Sequence, residues 1–178
     1  TAQTPCWDPW VHKYAILGLL SYGEGTGHMP AGEAAQRIGY LIAEQFGQFG
    51  KRDLNRTDEH AGLASGSLLE AMLVLHRSAG IRVCYEFAEH VVRDLWERPD
   101  GPGVMRGLRE GAPLHTIGDG KAYEMMSCFV GLVEYCRATG DRTLCAPLLA
   151  ARDRIATQLR YTTGGMSDTE WFKPPGQL

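Results

Sequence analysis

The stretch that decides the fold runs from Phe129 to Tyr135, Phe-Val-Gly-Leu-Val-Glu-Tyr, and leads to Thr139-Gly140-Asp141. An apolar run that stops at a glycine predicts a buried α-helix, because glycine accepts the left-handed conformation that follows a last helical turn. The same pattern occurs twice earlier, at Ile16–Tyr22 before Thr26-Gly27 and at Ser67–Leu73 before Ala79-Gly80. The three copies indicate a weak internal repeat of helices.

A second helix with a narrower apolar stripe is expected after each run. The stripes are Ile38, Leu41, Ile42, Phe46 and Phe49 in a helix opened by Pro30, then Val83, Phe87, Val91 and Leu95, then Leu144, Leu148, Ala151, Ile155 and Leu159. Pro147 predicts that the last helix starts late or kinks. The alternation predicts an all-α domain over residues 1–178, with inner helices covered on most sides and outer helices showing one side to water.

Concentric layers of helical hairpins, as in a toroid, fit this alternation, and a helical solenoid or bundle is the alternative. Gly27, Gly80 and Gly140 are spaced by 53 and 60 residues. Common helical solenoids repeat every ~34–47 residues, so the longer spacing favours a toroid. No segment alternates polar and apolar residues over several positions, and few strands are expected.

Composition and charge limit the classes of partner that we expect. The formal net charge is −3 and the lysines and arginines form no run, which argues against a nucleic-acid partner and fits a neutral carbohydrate. No apolar stretch approaches the ~20 residues that span a bilayer, so no membrane partner is expected. Because the sequence begins at Thr1, we expect the native start to lie outside it. The compartment is left open with the cytoplasm favoured, and a homodimer is one option.

The five cysteines are odd in number and no pair has C-x-x-C spacing, so neither a disulfide framework nor a zinc knuckle is predicted. Four of them lie in apolar helical stretches and are expected to be small buried hydrophobes: Cys84, Cys128, Cys136 and Cys145.

Two stretches break the helical pattern. Residues 97–120 contain six glycines and three prolines, and a connector of this length is expected to be functional or disordered. The tail from Thr162 to Phe172 joins a Thr-Gly-Gly turn to a carboxylate beside aromatic residues.

Four stretches together resemble a known enzyme family. They are His12-Lys13-Tyr14 leading into Leu17–Tyr22, Ala64–Glu70, the run Lys-Ala-Tyr-Glu-Met-Met-Ser-Cys-Phe at Lys121–Phe129, and Thr163-Gly164-Gly165-Met166. In this order, over essentially the whole chain, they are similar to the β-L-arabinofuranosidase-like glycoside hydrolases (glycoside hydrolase family 127 and relatives). The resemblance implies an (α/α)6 toroid, of which three helical hairpins in this chain would supply about half.

The resemblance also implies retaining hydrolysis that releases a terminal sugar, β-L-arabinofuranose or a similar one, with a zinc-bound cysteine as nucleophile and a glutamic acid as proton donor. It places the zinc ligands and the nucleophile beyond Leu178, so no cofactor is identified within the chain. The family's proton donor lies a few residues after the Thr-Gly-Gly turn, where this sequence has Glu170. The family has a longer spacer with His-Gly at the point where this sequence has Asp168-Thr169.

Glu170 is therefore the candidate general acid/base. A general acid must keep its proton near neutral pH, and desolvation beside Trp171 and Phe172 is expected to raise the pKa of Glu170. A solvated tail residue is the alternative. His60 precedes the second inner helix, where the resemblance implies a sugar contact, and an idle exposed histidine is the alternative.

Four further residues are candidates for sugar contacts. Lys121, Tyr123 and Glu124 open the third inner helix and His12 heads the first, so all four are expected at the toroid mouth, where sugar hydroxyls need donors and acceptors. Glu124 has an alternative role as a helix N-terminal charge beside the helix dipole.

The sequence thus predicts part of a glycoside hydrolase. One alternative is a sugar epimerase on a similar toroid, which needs paired histidines as proton carriers. The other is a non-catalytic helical carbohydrate-binding module. Trp7 and Trp10 are expected to pack in the core rather than to stack on a sugar ring.

Overall fold

A computed structural model describes residues 5–167 and 169–177. The chain is 66% helical and contains no strand in these ranges, only a single backbone bridge between Lys121 and Trp171. The predicted all-α class is confirmed. The helices are α1 (Asp8–Thr26), α2 (Met29–Phe46), α3 (Leu63–Gly66), α4 (Leu68–Ala79), α5 (Arg82–His90), α6 (Val104–Glu110), α7 (Ala122–Thr139) and α8 (Cys145–Arg154). A π-helical turn continues α5 over Val91–Leu95 and α8 over Ile155–Leu159.

Three helical hairpins organise the described chain. α1 pairs with α2, α4 with α5 and α7 with α8, and α4 packs between α1 and α7. α1, α4 and α7 form an inner layer, and α2 and α5 pack behind it and against each other. Gly27, Gly80 and Gly140 end the inner helices with φ angles of 73°, 68° and 71°. These are the left-handed caps that the sequence predicts.

α4 and α7 approach each other closely at Gly131. A Cβ atom at this position would lie 3.0 Å from the Cβ of Leu69 and 3.1 Å from the backbone nitrogen of Glu70. Further along both helices, by about one turn on α7 and two turns on α4, the Arg77 guanidinium pairs with the Glu134 carboxylate. Because the contacts ascend along both helices together, α4 and α7 run in the same direction and begin at the same end of the layer.

Burial differs among the inner helices. α4 is covered on most sides, and Leu69, Met72 and Leu75 are each 0% exposed. α1 and α7 leave one side open, with Val11 58% and Val130 46% exposed. The prediction that the inner helices are covered on most sides is therefore wrong for α1 and α7. The reason is that α4 has an inner helix on each flank, whereas each of the other two has one among the described residues.

The outer helices follow their predicted stripes in part. Pro30 lies in the first turn of α2, as expected. The prediction is wrong for Leu41, which is 46% exposed, and for Phe49, which is 94% exposed because it follows the end of the helix at Phe46. Pro147 lies in the first turn of α8, where a missing N–H costs no helical hydrogen bond. The prediction is confirmed for the stripe residues that are buried, which are Ile42, Phe46, Phe87, Val91, Leu95, Leu144, Ala151 and Leu159.

Residues 97–120 fold into an ordered excursion around α6. Val104 and Leu108 of α6 are buried in the core. Arg98 anchors the start of the segment, 2.9 Å from Asp53 and 2.6 Å from Asp100. The sequence predicted that residues 97–120 are either functional or disordered, and the expectation of disorder is wrong.

All five cysteines are present as free thiols. Cys84 and Cys128 are buried, as expected for small apolar side chains, and burial raises the pKa of Cys84 to about 12. The expectation is wrong for Cys145, which is exposed at the first residue of α8.

Candidate functional site

Polar and aromatic side chains gather at the end of the inner layer where α1 and α7 begin. The starting turns of these helices bring the hydroxyls of Tyr14 and Tyr123 within 2.9 Å of each other. The ring of Trp10 lies 5.5 Å from that of Tyr123. His60 and Glu170 reach the same end from the segment before α3 and from the tail. Five of the six predicted site residues are thereby brought to one end of the fold.

Lys121 and Glu170 form an ion pair at this end. The Nζ atom of Lys121 donates to Oε2 of Glu170 at 2.5 Å and lies 4.4 Å from the ring centre of Trp171. The Lys121 side chain is 10% exposed and that of Glu170 is 72% exposed. The carboxylate therefore faces solvent on one side and the lysine on the other.

The tail is fixed to the start of α7 by backbone hydrogen bonds. The Ala122 N–H donates to the carbonyl of Glu170 at 2.8 Å, and the Phe172 N–H donates to that of Gly120 at 2.9 Å. Glu170 itself has a φ of 68°, in the left-handed region that non-glycine residues seldom adopt. Such conformations persist where the surroundings over-determine them, and they cluster at functional sites.

The expected rise in the pKa of Glu170 is contradicted. The hydrogen bond from Lys121, together with the charge of that lysine, lowers the pKa of Glu170 below its ordinary value. Phe172 is buried, but the carboxylate of Glu170 is paired with Lys121 and exposed to solvent. The same bond raises the pKa of Lys121. Glu170 is thus held as a carboxylate, the form of a general base.

His60 is buried, so it is not the idle exposed histidine that was the alternative. Its Nδ1 atom lies 2.8 Å from Oδ2 of Asp119. A carboxylate only accepts hydrogen bonds, so Nδ1 carries the proton and, in the neutral ring, Nε2 is the acceptor. The rings of Trp7 and Trp171 lie 5.5 Å and 6.4 Å from the imidazole. His60 is therefore held in one tautomer between two aromatic walls.

Glu124 is the most enclosed carboxyl group of the cluster. It lies in the first turn of α7 and is 4% exposed. Its Oε2 atom is shielded from solvent and has no hydrogen-bond partner among the described residues. Desolvation raises the pKa of Glu124, against the lowering effect of its own backbone N–H, of Lys121 and of His60. The alternative role, a charge beside the helix dipole, is compatible with this position in the first turn of α7.

Lys13 and Glu70 form a second, deeper ion pair. The Nζ atom of Lys13, a residue that is 2% exposed, lies 2.8 Å from Oε2 of Glu70. The same ammonium group lies 5.6 Å from the ring centre of Trp10 and 5.4 Å from that of Tyr14. Burial and the hydrogen bond with Tyr123 raise the pKa of Tyr14. The aromatic wall of the cluster therefore rests on a buried salt bridge.

Two predictions for α1 are wrong. The Nδ1 atom of His12 lies 2.6 Å from the carbonyl oxygen of Asp8, and the residue lines a cleft with Leu41 of α2, so it faces the outer layer. Its position on the helix surface, one residue before Lys13, turns it away from the cluster. Trp7 is 42% exposed beside His60 rather than packed in the core.

Sequence reasoning did not select Asp119 and Glu70. Asp119 meets His60 across 59 positions of the chain, and no local pattern announces such a contact. A signal existed for the partner of Glu70, because Lys13 lies on the same buried stripe of α1 as Ile16 and Leu20. A charge on an apolar stripe needs a buried counter-charge.

Within residues 5–167 and 169–177, no three His, Cys, Asp or Glu side chains come together as a metal site. None of the described helices is both long and apolar enough to span a bilayer. No protein-family model, no curated protein and no solved structure matches the chain.

Proposed function

We propose that this chain is part of a retaining glycoside hydrolase that releases a terminal sugar, β-L-arabinofuranose or a similar one, from glycans. The observation that carries the proposal is the convergence of Glu170, Lys121, His60 and Glu124 beside the rings of Trp7, Trp10 and Trp171. Sugars are bound by aromatic faces together with charged hydrogen-bonding groups, which are the two kinds of group present at this end.

The layered hairpins support an (α/α)6 toroid to which this chain contributes about half. α1 and α7 each leave one flank exposed, with Val11 and Val130 in the open. Such flanks suit further hairpins that would continue the ring on either side. The polar cluster would then lie at the mouth of a closed hollow, where water is excluded and hydrogen bonds to a sugar are strengthened.

Glu170 is the proposed general acid/base. In the ion pair with Lys121 it is a carboxylate, ready to take a proton from the water that attacks a glycosyl intermediate. In the first half of the reaction it must donate a proton to the leaving oxygen, so the Lys121 contact has to open at that stage. His60, held by Asp119, offers Nε2 to a sugar hydroxyl.

The test is a panel of nitrophenyl glycosides, assayed with a protein in which the chain is extended beyond Leu178. Glu170→Gln should lower the rate of hydrolysis about 10²–10⁴-fold, the usual contribution of general acid/base assistance. The matched control is Glu33→Gln, which changes an exposed carboxylate on α2 and should leave the rate unchanged. The chain of 178 residues alone should be inactive. Near-wild-type turnover by Glu170→Gln would remove Glu170 from the mechanism.

A non-catalytic carbohydrate-binding module is the second candidate, because the lowered pKa of Glu170 suits a hydrogen-bond acceptor better than a proton donor. In that case the extended protein would bind sugars, as measured by calorimetry, and cleave none of the panel. A protein that neither binds nor cleaves any sugar would refute both candidates.

A further inference from the structure

Glu124 lies where a helix normally provides a partner for its carboxylate. At the third position of α7, such a side chain usually reaches back to the backbone N–H of the residue that precedes the helix, here Lys121. That N–H instead donates to Oδ1 of Asp119 at 3.1 Å. Asp119 has taken the capping bond, and Oε2 of Glu124 is left enclosed with no partner among the described residues.

Lys121 lies between two carboxyl groups. Its Nζ atom holds Glu170 at 2.5 Å, and the charge of Glu124, in the first turn of α7, also acts on it. Lys121 is the N-cap residue of α7 and Glu124 lies in the first turn, so both side chains leave the same helix end. Rotation about the bonds of the lysine side chain is the movement by which Nζ would pass from one carboxyl to the other. The charged groups around Glu124 are Lys121, which precedes its helix, His60 from the segment before α3 and Glu170 from the tail. The charge of Asp119 also acts on Lys121.

We propose that Lys121 is shared between these two acids, and that it moves from Glu170 to Oε2 of Glu124 as a proton passes from Glu124 to Glu170. Before the exchange Glu124 is a neutral acid and Glu170 a carboxylate paired with Lys121. Afterwards Glu170 carries the proton and Glu124 is the carboxylate paired with Lys121. One O–H bond breaks and one forms, so the total charge and the number of protons are unchanged.

The exchange would solve the difficulty that the ion pair creates for acid catalysis. A carboxylate held by a lysine cannot donate a proton, whereas the same group freed from the lysine and protonated can. In this respect the inference rests on the proposed function. Glu124 and Lys121 are positioning residues in it, because they act through Glu170 and need not touch the sugar.

The experiment is a carbon-detected NMR titration of the glutamate carboxyl groups in the 178-residue chain without sugar, with signals assigned from Glu124→Gln and Glu170→Gln. In Glu170→Gln the lysine loses its partner and turns to Glu124. The titration midpoint of Glu124 should then fall by at least about one pH unit, a tenfold change in proton affinity. Glu70→Gln, which changes a carboxyl group paired with Lys13 instead, should leave it in place.

Direct repulsion between Glu124 and Glu170 also contributes, and the Lys121→Met background separates the two effects. Repulsion persists without the lysine, whereas a shared lysine cannot act. In the Lys121→Met background, Glu170→Gln should therefore lower the proton affinity of Glu124 by a factor that is at least about threefold smaller than in the wild-type background. An equal fall in both backgrounds, or none in either, would overturn the inference. Because no sugar is present, this result is independent of whether the extended protein cleaves the glycoside panel.

Discussion

The close approach of α4 and α7 predicts that one added methyl group will lower the stability of the protein. Gly131→Ala would place a Cβ atom 3.0 Å from the Cβ of Leu69 and 3.1 Å from the backbone nitrogen of Glu70. Neither neighbour is the mobile end of a side chain, so the helices themselves must separate by several tenths of an ångström. Gly18→Ala is the matched control, because this glycine lies in α1 with nothing within 4 Å of its added Cβ.

The expected magnitude follows from two opposing effects. Overpacking of a tight core contact costs about 1–3 kcal/mol, and replacing a helical glycine by alanine returns about 0.5–1 kcal/mol. Gly131→Ala should therefore lower the free energy of unfolding by about 1 kcal/mol, the difference between the midpoints of those two ranges. Gly18→Ala has only the favourable effect and should raise the free energy of unfolding by about 0.5–1 kcal/mol.

The assay is urea unfolding followed by circular dichroism, with a thermal melt as a second measure. For a chain of this size each kcal/mol moves the melting temperature by about 2–4 °C, so the two variants should melt on opposite sides of the wild type. Equal slopes against urea would show that neither change alters the surface that unfolding exposes, so the midpoints report stability directly. If Gly131→Ala were as stabilising as Gly18→Ala, α7 would not pack on α4 at this distance, and the inner layer would be wrong.

Two further predictions concern charge. Lys121→Met should raise the pKa of Glu170 toward its ordinary value, because the lysine is the main cause of its lowering; an unchanged NMR titration of Glu170 would contradict the ion pair. Arg98 lowers the pKa of Asp100 to about 2 from 3.8, so this pair adds stability that is present above about pH 4 and is lost as the pH falls toward about 2. The unfolding free energies of the wild type and Asp100→Asn should accordingly differ at pH 6 and converge at pH 2, and a constant difference would refute this origin.

Features that depend only on residues adjacent in the chain could be predicted from the sequence. The ends of α1, α4 and α7 were predictable because one glycine in the left-handed conformation decides each of them. Pro30 marked the start of α2 for a similarly local reason, since its fixed φ suits a first helical turn. The end of α2 was missed although Gly47 follows its last residue, because this glycine is extended, with a φ of −71°, and does not form a left-handed cap. Phe49 was counted as part of the helix although it lies beyond it.

The chemistry of the site depends on contacts that adjacent residues do not encode. The sequence neighbours of Glu170 are aromatic and suggested desolvation, but its state is decided by Lys121, 49 positions away. His60 could be selected as a candidate, while the reason that it is held in one tautomer is Asp119, 59 positions away. Predicting the pKa of such groups requires knowing which helix ends meet, and this information is present only in the packing of the layer.

The parallel packing of the inner helices also explains why carboxyl groups gather at this end. Helix N-termini carry a partial positive charge that favours acidic side chains, and Glu70 and Glu124 lie in the first turns of α4 and α7. Lys13 pairs with Glu70, and Lys121 pairs with Glu170 from the tail, so these charged groups are already paired within the protein. An anionic ligand would have to displace Glu170 from Lys121, and a cationic ligand would have to displace Lys13 from Glu70. A neutral hydroxylated ligand displaces neither and still receives hydrogen bonds from charged groups, which are about twice as strong as those between neutral groups.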